Sequence, residues 1–209
     1  MTQQALPILF QDDTLIVVDK PHGLLSVPGK GPDHQDSVAS RVVSTYPDAL
    51  IVHRLDCHTS GVMVLARGKP VQVELSRQFH DRLTRKRYLA VVEGEPVEQQ
   101  GEIDQPMRCD IDNRPRQIID CIHGKHALTR WRLLGTSQGR SRLALEPVTG
   151  RSHQLRVHCA YMGTPIVGDR LYGVTEADQE PRMLLHAERL EFQHPVTGEP
   201  MSVTSDCAF

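Results

Sequence analysis

The chain has 209 residues, 39% of them hydrophobic and only 4% aromatic, enough to build one substantial core but not a surface studded with rings. Its formal net charge of −2 and pI near 6.6 by themselves argue against a general polyanion binder, and no apolar run approaches membrane-spanning length. The five cysteines are odd in number and never spaced C-x-x-C, so they read as reduced thiols. The opening Met1-Thr2-Gln3-Gln4-Ala5-Leu6-Pro7 has no basic or long apolar segment of a signal peptide, and a soluble cytoplasmic protein is expected.

Strand signals begin near Ile8. Leu15-Ile16-Val17-Val18 is a short buried strand that ends at the turn Asp19-Lys20-Pro21-His22-Gly23. After a glycine-rich loop at Gly29-Lys30-Gly31-Pro32, Asp36 or Ser37 can cap a helix that runs to about Tyr46 and stops at Pro47. Pro70 suits the first turn of a second helix, whose apolar stripe is Val71, Leu75, Phe79 and Leu83. Tyr88-Leu89-Ala90-Val91-Val92 returns to strand character, while Gln99-Gln100-Gly101 and Asp112-Asn113-Arg114-Pro115 read as loops. Trp131–Leu134 and Arg142–Leu145 form a hairpin pair around Thr136-Ser137-Gln138-Gly139. A third helix starts at Ser152, carries Leu155, Cys159 and Met162 on one face, and stops at Gly163. Leu184–Phe192 is a late strand. Strands mixed irregularly with short helices imply an α+β fold with a mixed, largely antiparallel sheet. One domain over residues 1–209 is expected, with no repeat and no linker. No phosphate-loop or dinucleotide pattern occurs, so nucleotide cofactors are not expected.

The most informative stretch is His53-Arg54-Leu55-Asp56-Cys57-His58-Thr59-Ser60-Gly61, set between the apolar runs Leu50-Ile51-Val52 and Val62-Met63-Val64-Leu65-Ala66. A charged triplet between core strands is costly unless it opens onto a cleft or is paired. If Arg54-Leu55-Asp56 is extended, Arg54 and Asp56 face a common space while Leu55 anchors the segment. Basic residues gather from Arg67 to Arg87 and again at Arg108, Arg114 and Arg116, which fits one basic face. Cys121-x-His123-x-x-His126 lacks a second ligand pair and reads as a turn, and the histidines His53, His58, His153 and His158 read as hydrogen-bonding structural groups; no metal is expected. Taken singly, Asp56 reads as a structural ion-paired carboxylate, Tyr88 as a half-buried strand tyrosine and Arg156 as a solvated helix side chain.

Five ordered blocks change that reading: Leu15 to Leu24, His53 to Gly61, Lys86-Arg87-Tyr88-Leu89-Ala90, Gly150 to His158 and Gly163 to Asp169. In this order they resemble the RluA-type family of RNA pseudouridine synthases, over nearly the whole chain. The resemblance implies a catalytic fold with a central active-site cleft, Asp56 as the catalytic residue, and Arg54, Tyr88, Leu155 and Arg156 as substrate-binding residues. It further implies that Arg156 partners Asp56, that Tyr88 stacks on the uracil and assists proton removal from C5, that Leu155 packs beside the base, and that Arg54 fills the space of a flipped nucleotide. The carboxylate either attacks C1′ or removes a ribose proton, and the residues do not choose between these. Segments Leu25–Gly29 and Asn113–Arg116 are similar to the founding member, which acts on tRNA and large-subunit ribosomal RNA. The expected activity is therefore dual-specificity conversion of uridine to pseudouridine in 23S ribosomal RNA and the tRNA anticodon stem-loop. A tRNA-only synthase and a non-catalytic RNA-binding or chaperone protein are the alternatives. The chain is expected to act as a monomer on RNA, not DNA or membranes, without a cofactor and without an S4-like RNA-binding domain.

Overall fold

The computed structural model describes residues 6–173 and 180–209. They form two compact units: the first takes the chain up to Arg85 and again from Ala187 to Ala208, and the second takes Lys86–His186 with Phe209.

The first unit opens with β1 (Ile8–Gln11), paired antiparallel to β2 (Leu15–Lys20) with an irregularity between Ile8 and Phe10. Helix α1 (Val38–Thr45) begins at Ser37, where a capping box joins Ser37 and Ser40 reciprocally; of the two candidate caps, the serine is used. Strand β3 (Ala49–Ile51) and β2 both pair antiparallel with β4 (Ser60–Arg67). The runs Leu15–Val18 and Val62–Ala66 are buried throughout, because their strands lie inside the sheet and are covered on both faces. Helix α2 (Lys69–His80) carries Pro70 in its first turn and sets Val71, Leu75 and Phe79 against Val62 and Val64. The stripe ends one step earlier than the spacing predicts, since Leu83 is 52% exposed. Arg82 turns left-handed at φ 59° and Leu83 N–H donates back to the Gln78 carbonyl at 2.9 Å, a Schellman closure that takes Leu83 out of the helix.

In the second unit β5 (Arg85–Glu93), β6 (Gln100–Asp104), β9 (Leu128–Ser137) and β10 (Arg140–Pro147) form an antiparallel sheet in the order β5-β10-β9-β6. A separate ribbon, β7 (Met107–Cys109) with β8 (Gln117–Ile119), lies between β6 and β9 in sequence. The expected hairpin is present, with Gln138 and Gly139 both at positive φ, as a two-residue turn of matching twist requires. Gln100 and Gly101, expected in a loop, belong to β6. Gly101 stands opposite Trp131, and a Cβ there would come 3.1 Å from the indole nitrogen, so the glycine makes room for a ring rather than breaking the strand.

Helix α3 (Gln154–Tyr161) differs from an amphipathic surface helix: Gln154 through Cys159 are all buried. Its N-cap is His153, left-handed at φ 54°, and not Ser152. The Gln154 side chain braces the turn ahead of the helix, since its Oε1 accepts from Arg151 N–H at 3.0 Å and from the Thr149 hydroxyl at 2.7 Å. Leu155 and Cys159 enter the core with Ala90, Leu143, Leu145 and Ile166. The chain then returns to the first unit through β11 (Leu185–Gln193), which pairs antiparallel with β12 (Pro200–Thr204). The architecture is the expected α+β type, with largely antiparallel strands and few short helices. Among the described residues, no helix is long and apolar enough to cross a membrane.

Candidate active site

In the first unit Asp56 lies in an irregular segment between β3 and β4, and burial alternates as an extended Arg54-Leu55-Asp56 demands: Arg54 exposed, Leu55 buried, Asp56 half-buried. The residue before Asp56 is clamped. The Ser26 hydroxyl accepts from Leu55 N–H at 3.0 Å and donates to the Leu55 carbonyl at 2.6 Å, and Ser26 itself is buried. The residue after Asp56 is clamped too. The Cys57 carbonyl accepts from Lys20 Nζ at 2.9 Å and from Gly23 N–H at 3.0 Å, while the Cys57 thiol donates to the Gly23 carbonyl. Asp56 is thus fixed through its main chain on both sides, a pinning that orders a loop without enclosing its carboxylate.

Further support comes from either end of the segment. His53 stacks on Phe79 with ring centroids 4.5 Å apart and accepts from Val64 N–H at 3.1 Å, so its Nε2 is unprotonated and the ring is structural, as expected. Thr59 N–H donates to the Asp56 carbonyl at 3.1 Å to close a turn. Gly61 ends the block at φ 112°, and a Cβ on it would lie 2.2 Å from the Ala187 carbonyl oxygen. Only glycine lets the β11 backbone come this close, which explains the residue that closes the motif.

In the second unit Tyr88, on β5 opposite Leu145, packs half-buried against the cluster that contains Leu155. These two predicted residues therefore belong to the same apolar cluster. Arg156, next in the chain, is 4% exposed, not the solvated helix side chain its neighbours suggest. Its Nε and Nη2 donate to Asp169 Oδ2 and Oδ1, each at 2.7 Å, and its guanidinium carbon lies 5.0 Å from the Tyr172 ring centroid. Burial alone would raise the Asp169 pKa; the Arg156 fork and the amides of Leu171 and Tyr172 outweigh it and hold the carboxyl below its ordinary value. Within its unit the carboxylate that Arg156 grips is Asp169, which the sequence reading quoted only as the end of a matching block.

Ser26, Lys20, Asp169 and Tyr172 are the supporting residues that sequence reasoning missed. Each is legible only as a position near a turn, and nothing in their neighbours signals that Ser26, Lys20 and Asp169 are buried or that Tyr172 is half-buried. His158, by contrast, is the hydrogen-bonding structural group that the sequence suggests: its Nε2 donates to the Gln105 carbonyl at 3.1 Å and its Nδ1 meets the Thr129 hydroxyl at 2.9 Å, while burial pushes its pKa below the usual imidazole value.

The basic stretches are partly committed to internal partners. Arg67 pairs with Asp48, Arg77 with Glu74 and Asp81, and Arg108 with Asp120. Arg116 donates to the Leu171 carbonyl. Exposed ion pairs of this kind contribute little; Arg82 and Arg85 in the first unit and Arg114 in the second are exposed. Among the described residues no group of three or more His, Cys, Asp or Glu side chains is arranged to hold a metal, and His126 pairs instead with Asp104. All five cysteines are free thiols.

A model of the RNA pseudouridylate synthase family matches residues 14–161. The dual-specificity RNA pseudouridine synthase RluA of Escherichia coli (strain K12) is 47% identical over 206 residues, covering 98% of this chain and 94% of that protein. RluA of Haemophilus influenzae is 46% identical over the same shares of each chain. Among solved structures, human RNA pseudouridylate synthase domain containing 1 superposes with a TM-score of 0.82 at 30% identity, covering 96% of this chain and 83% of that one. Likeness of this extent, in sequence and in backbone, places the chain: it belongs to the RNA pseudouridylate synthase family and is an isomerase acting on RNA.

Proposed function

We propose that this protein converts specific uridines to pseudouridine in both tRNA, at the anticodon stem-loop, and 23S ribosomal RNA, with Asp56 as its catalytic residue. In the reaction the N1–C1′ bond breaks, the uracil turns over, a C5–C1′ bond forms, C5 gives up its proton and N1 takes one, so no atoms are gained or lost. The observation that carries the reading is the double main-chain clamp on Leu55 and Cys57, which holds one half-buried carboxylate between them in a fixed pose. A group that must act on a ribose carbon gains most from such preorganisation. Arg54, exposed beside it, suits insertion where the base has left the stack, a step that costs a few kcal/mol and must be offset by new contacts. Tyr88 and Leu155, on one apolar cluster, suit contact with the uracil face, and Arg156 suits a charged or polar atom of the substrate or of the acid. The names of the RluA relatives support the double substrate. We further assign the whole chain to this one activity, in the cytoplasm and as a monomer.

Tritium release from RNA labelled at uracil C5 tests the proposal. Wild-type protein should release label from a tRNA anticodon stem-loop and from a 23S fragment; Asp56→Ala should release none while still binding both. Release from the stem-loop alone would leave a tRNA-only synthase, and full release by Asp56→Ala would end the catalytic assignment.

A further inference from the structure

Arg156 is held by more than a salt bridge. Asp169 occupies one whole edge of its guanidinium with two 2.7 Å bonds, at side-chain exposures of 5% for the arginine and 0% for the aspartate. Asp169 is itself immobilised, because its Oδ1 also accepts from Leu171 N–H at 2.9 Å and Tyr172 N–H at 3.2 Å. Tyr172 then lays its ring beside the guanidinium, and its hydroxyl is bonded to Gln117 N–H and His153 Nδ1, both at 2.7 Å. A planar cation gripped along one edge and flanked on one face has no remaining torsional freedom. The direction of its third nitrogen, Nη1, is set through that rigid plane by a carboxylate that itself sits in the buried interior of the unit.

We infer that Asp169 is a positioning residue for pseudouridine formation, acting through Arg156, whose fork it aims; this rests on the reading of Arg156 as a substrate-binding residue. Two parallel 2.7 Å bonds on one guanidinium edge do more than neutralise a buried charge, because they also set the direction of its plane. The excess is geometric. It converts a flexible side chain into a fixed donor, and a donor displaced by about 1 Å costs on the order of 10²-fold in rate.

The test is a double-mutant cycle read by single-turnover tritium release, with RNA affinity measured separately. Arg156→Met should slow release about 10²-fold, and Asp169→Asn should slow it comparably, with RNA affinity altered to the same extent in both variants. The double variant Asp169→Asn with Arg156→Met should be no slower than Arg156→Met alone, since the aspartate has nothing left to aim. A merely structural Asp169 would instead lower release only in proportion to the unfolded fraction seen in urea denaturation, and wild-type release per folded molecule in Asp169→Asn overturns the inference. Should Asp169→Asn fail to fold, Asp169→Glu keeps the charge but moves the carboxylate outward by a methylene. It should slow release about tenfold, and wild-type release by Asp169→Glu beside a slow Arg156→Met would overturn the inference equally. A fully active Arg156→Met would refute the reading of Arg156 itself, a failure separable from the others because it is seen in that variant alone.

Discussion

Asp56 in the first unit and Arg156 in the second are both fixed, by opposite means. The segment of Asp56 is held through main-chain atoms of its two neighbours, by the Ser26 hydroxyl, the Lys20 ammonium and Gly23 N–H. Arg156 is held through its own side chain, by a buried carboxylate and a ring. The difference follows from burial. A half-buried carboxylate keeps its access to a reacting partner and needs only a stiff backbone beneath it. A nearly fully buried guanidinium has lost its water and must recover that loss from hydrogen-bonded partners. The first arrangement separates stability from chemistry; the second joins them.

The largest expected effect sharpens this contrast. Asp56→Asn should lower turnover at least about 10⁴-fold, yet shift unfolding by no more than about 0.5 kcal/mol, because both clamps act on neighbouring residues. Tritium release and urea denaturation on the same sample check both halves, and a large loss of stability would show that the side chain itself holds the loop. Asp169→Asn should behave in the opposite way, destabilising the protein by about 3–5 kcal/mol by taking the carboxylate from the Arg156 fork. Adding Arg156→Met should recover much of that loss in the urea midpoint, since the buried guanidinium is then gone as well.

Ser26→Ala tests the clamp directly. It leaves the buried N–H and carbonyl of Leu55 without the hydroxyl and should cost about 1–3 kcal/mol. It should also slow tritium release while Asp56 remains in place, whereas unchanged release would mean that the clamp serves the fold alone.

The smallest effect concerns acid stability. Burial opposes ionisation of Asp12, but the His194 hydrogen bond and the amides of Thr14 and Leu15 outweigh it and bring its pKa down to about 2. A carboxylate with a depressed folded-state pKa stabilises the protein above its unfolded value near ~4, and that stability is lost as pH falls through the folded value. With Asp12 partly exposed, the contribution is no more than about 1 kcal/mol. Asp12→Asn should flatten the stability profile between pH 4 and 2 in thermal scans and leave pH 7 turnover unaltered.

Much of the fold was readable because its signals are local. The β-branched runs of β2 and β4, Pro70 at the head of α2 and the Gln138-Gly139 turn each specify their conformation over a few residues. The failures came where a distant partner overrides a local rule. Gly101 reads as a breaker until Trp131 is seen against it, and Leu83 fits the helical period until Arg82 turns the chain away. His153 displaces Ser152 as the cap of α3, at a point where the Gln154 side chain donates to Leu128 and Thr129 across 26 and 25 positions.

The candidate site divides along the same line. The sequence alone determined the extended pose of Arg54-Leu55-Asp56, since alternation along a backbone is a two-residue property, and it determined the family through blocks whose order needs no coordinates. The tertiary structure decided what holds those residues. Ser26 reaches Leu55 across 29 positions and Lys20 reaches Cys57 across 37. Arg156, whose helical neighbours promised water, was buried against Asp169 and Tyr172 instead. Hydrogen bonds between residues remote in sequence leave no periodic trace, so such partners become visible only when the chain has closed on itself.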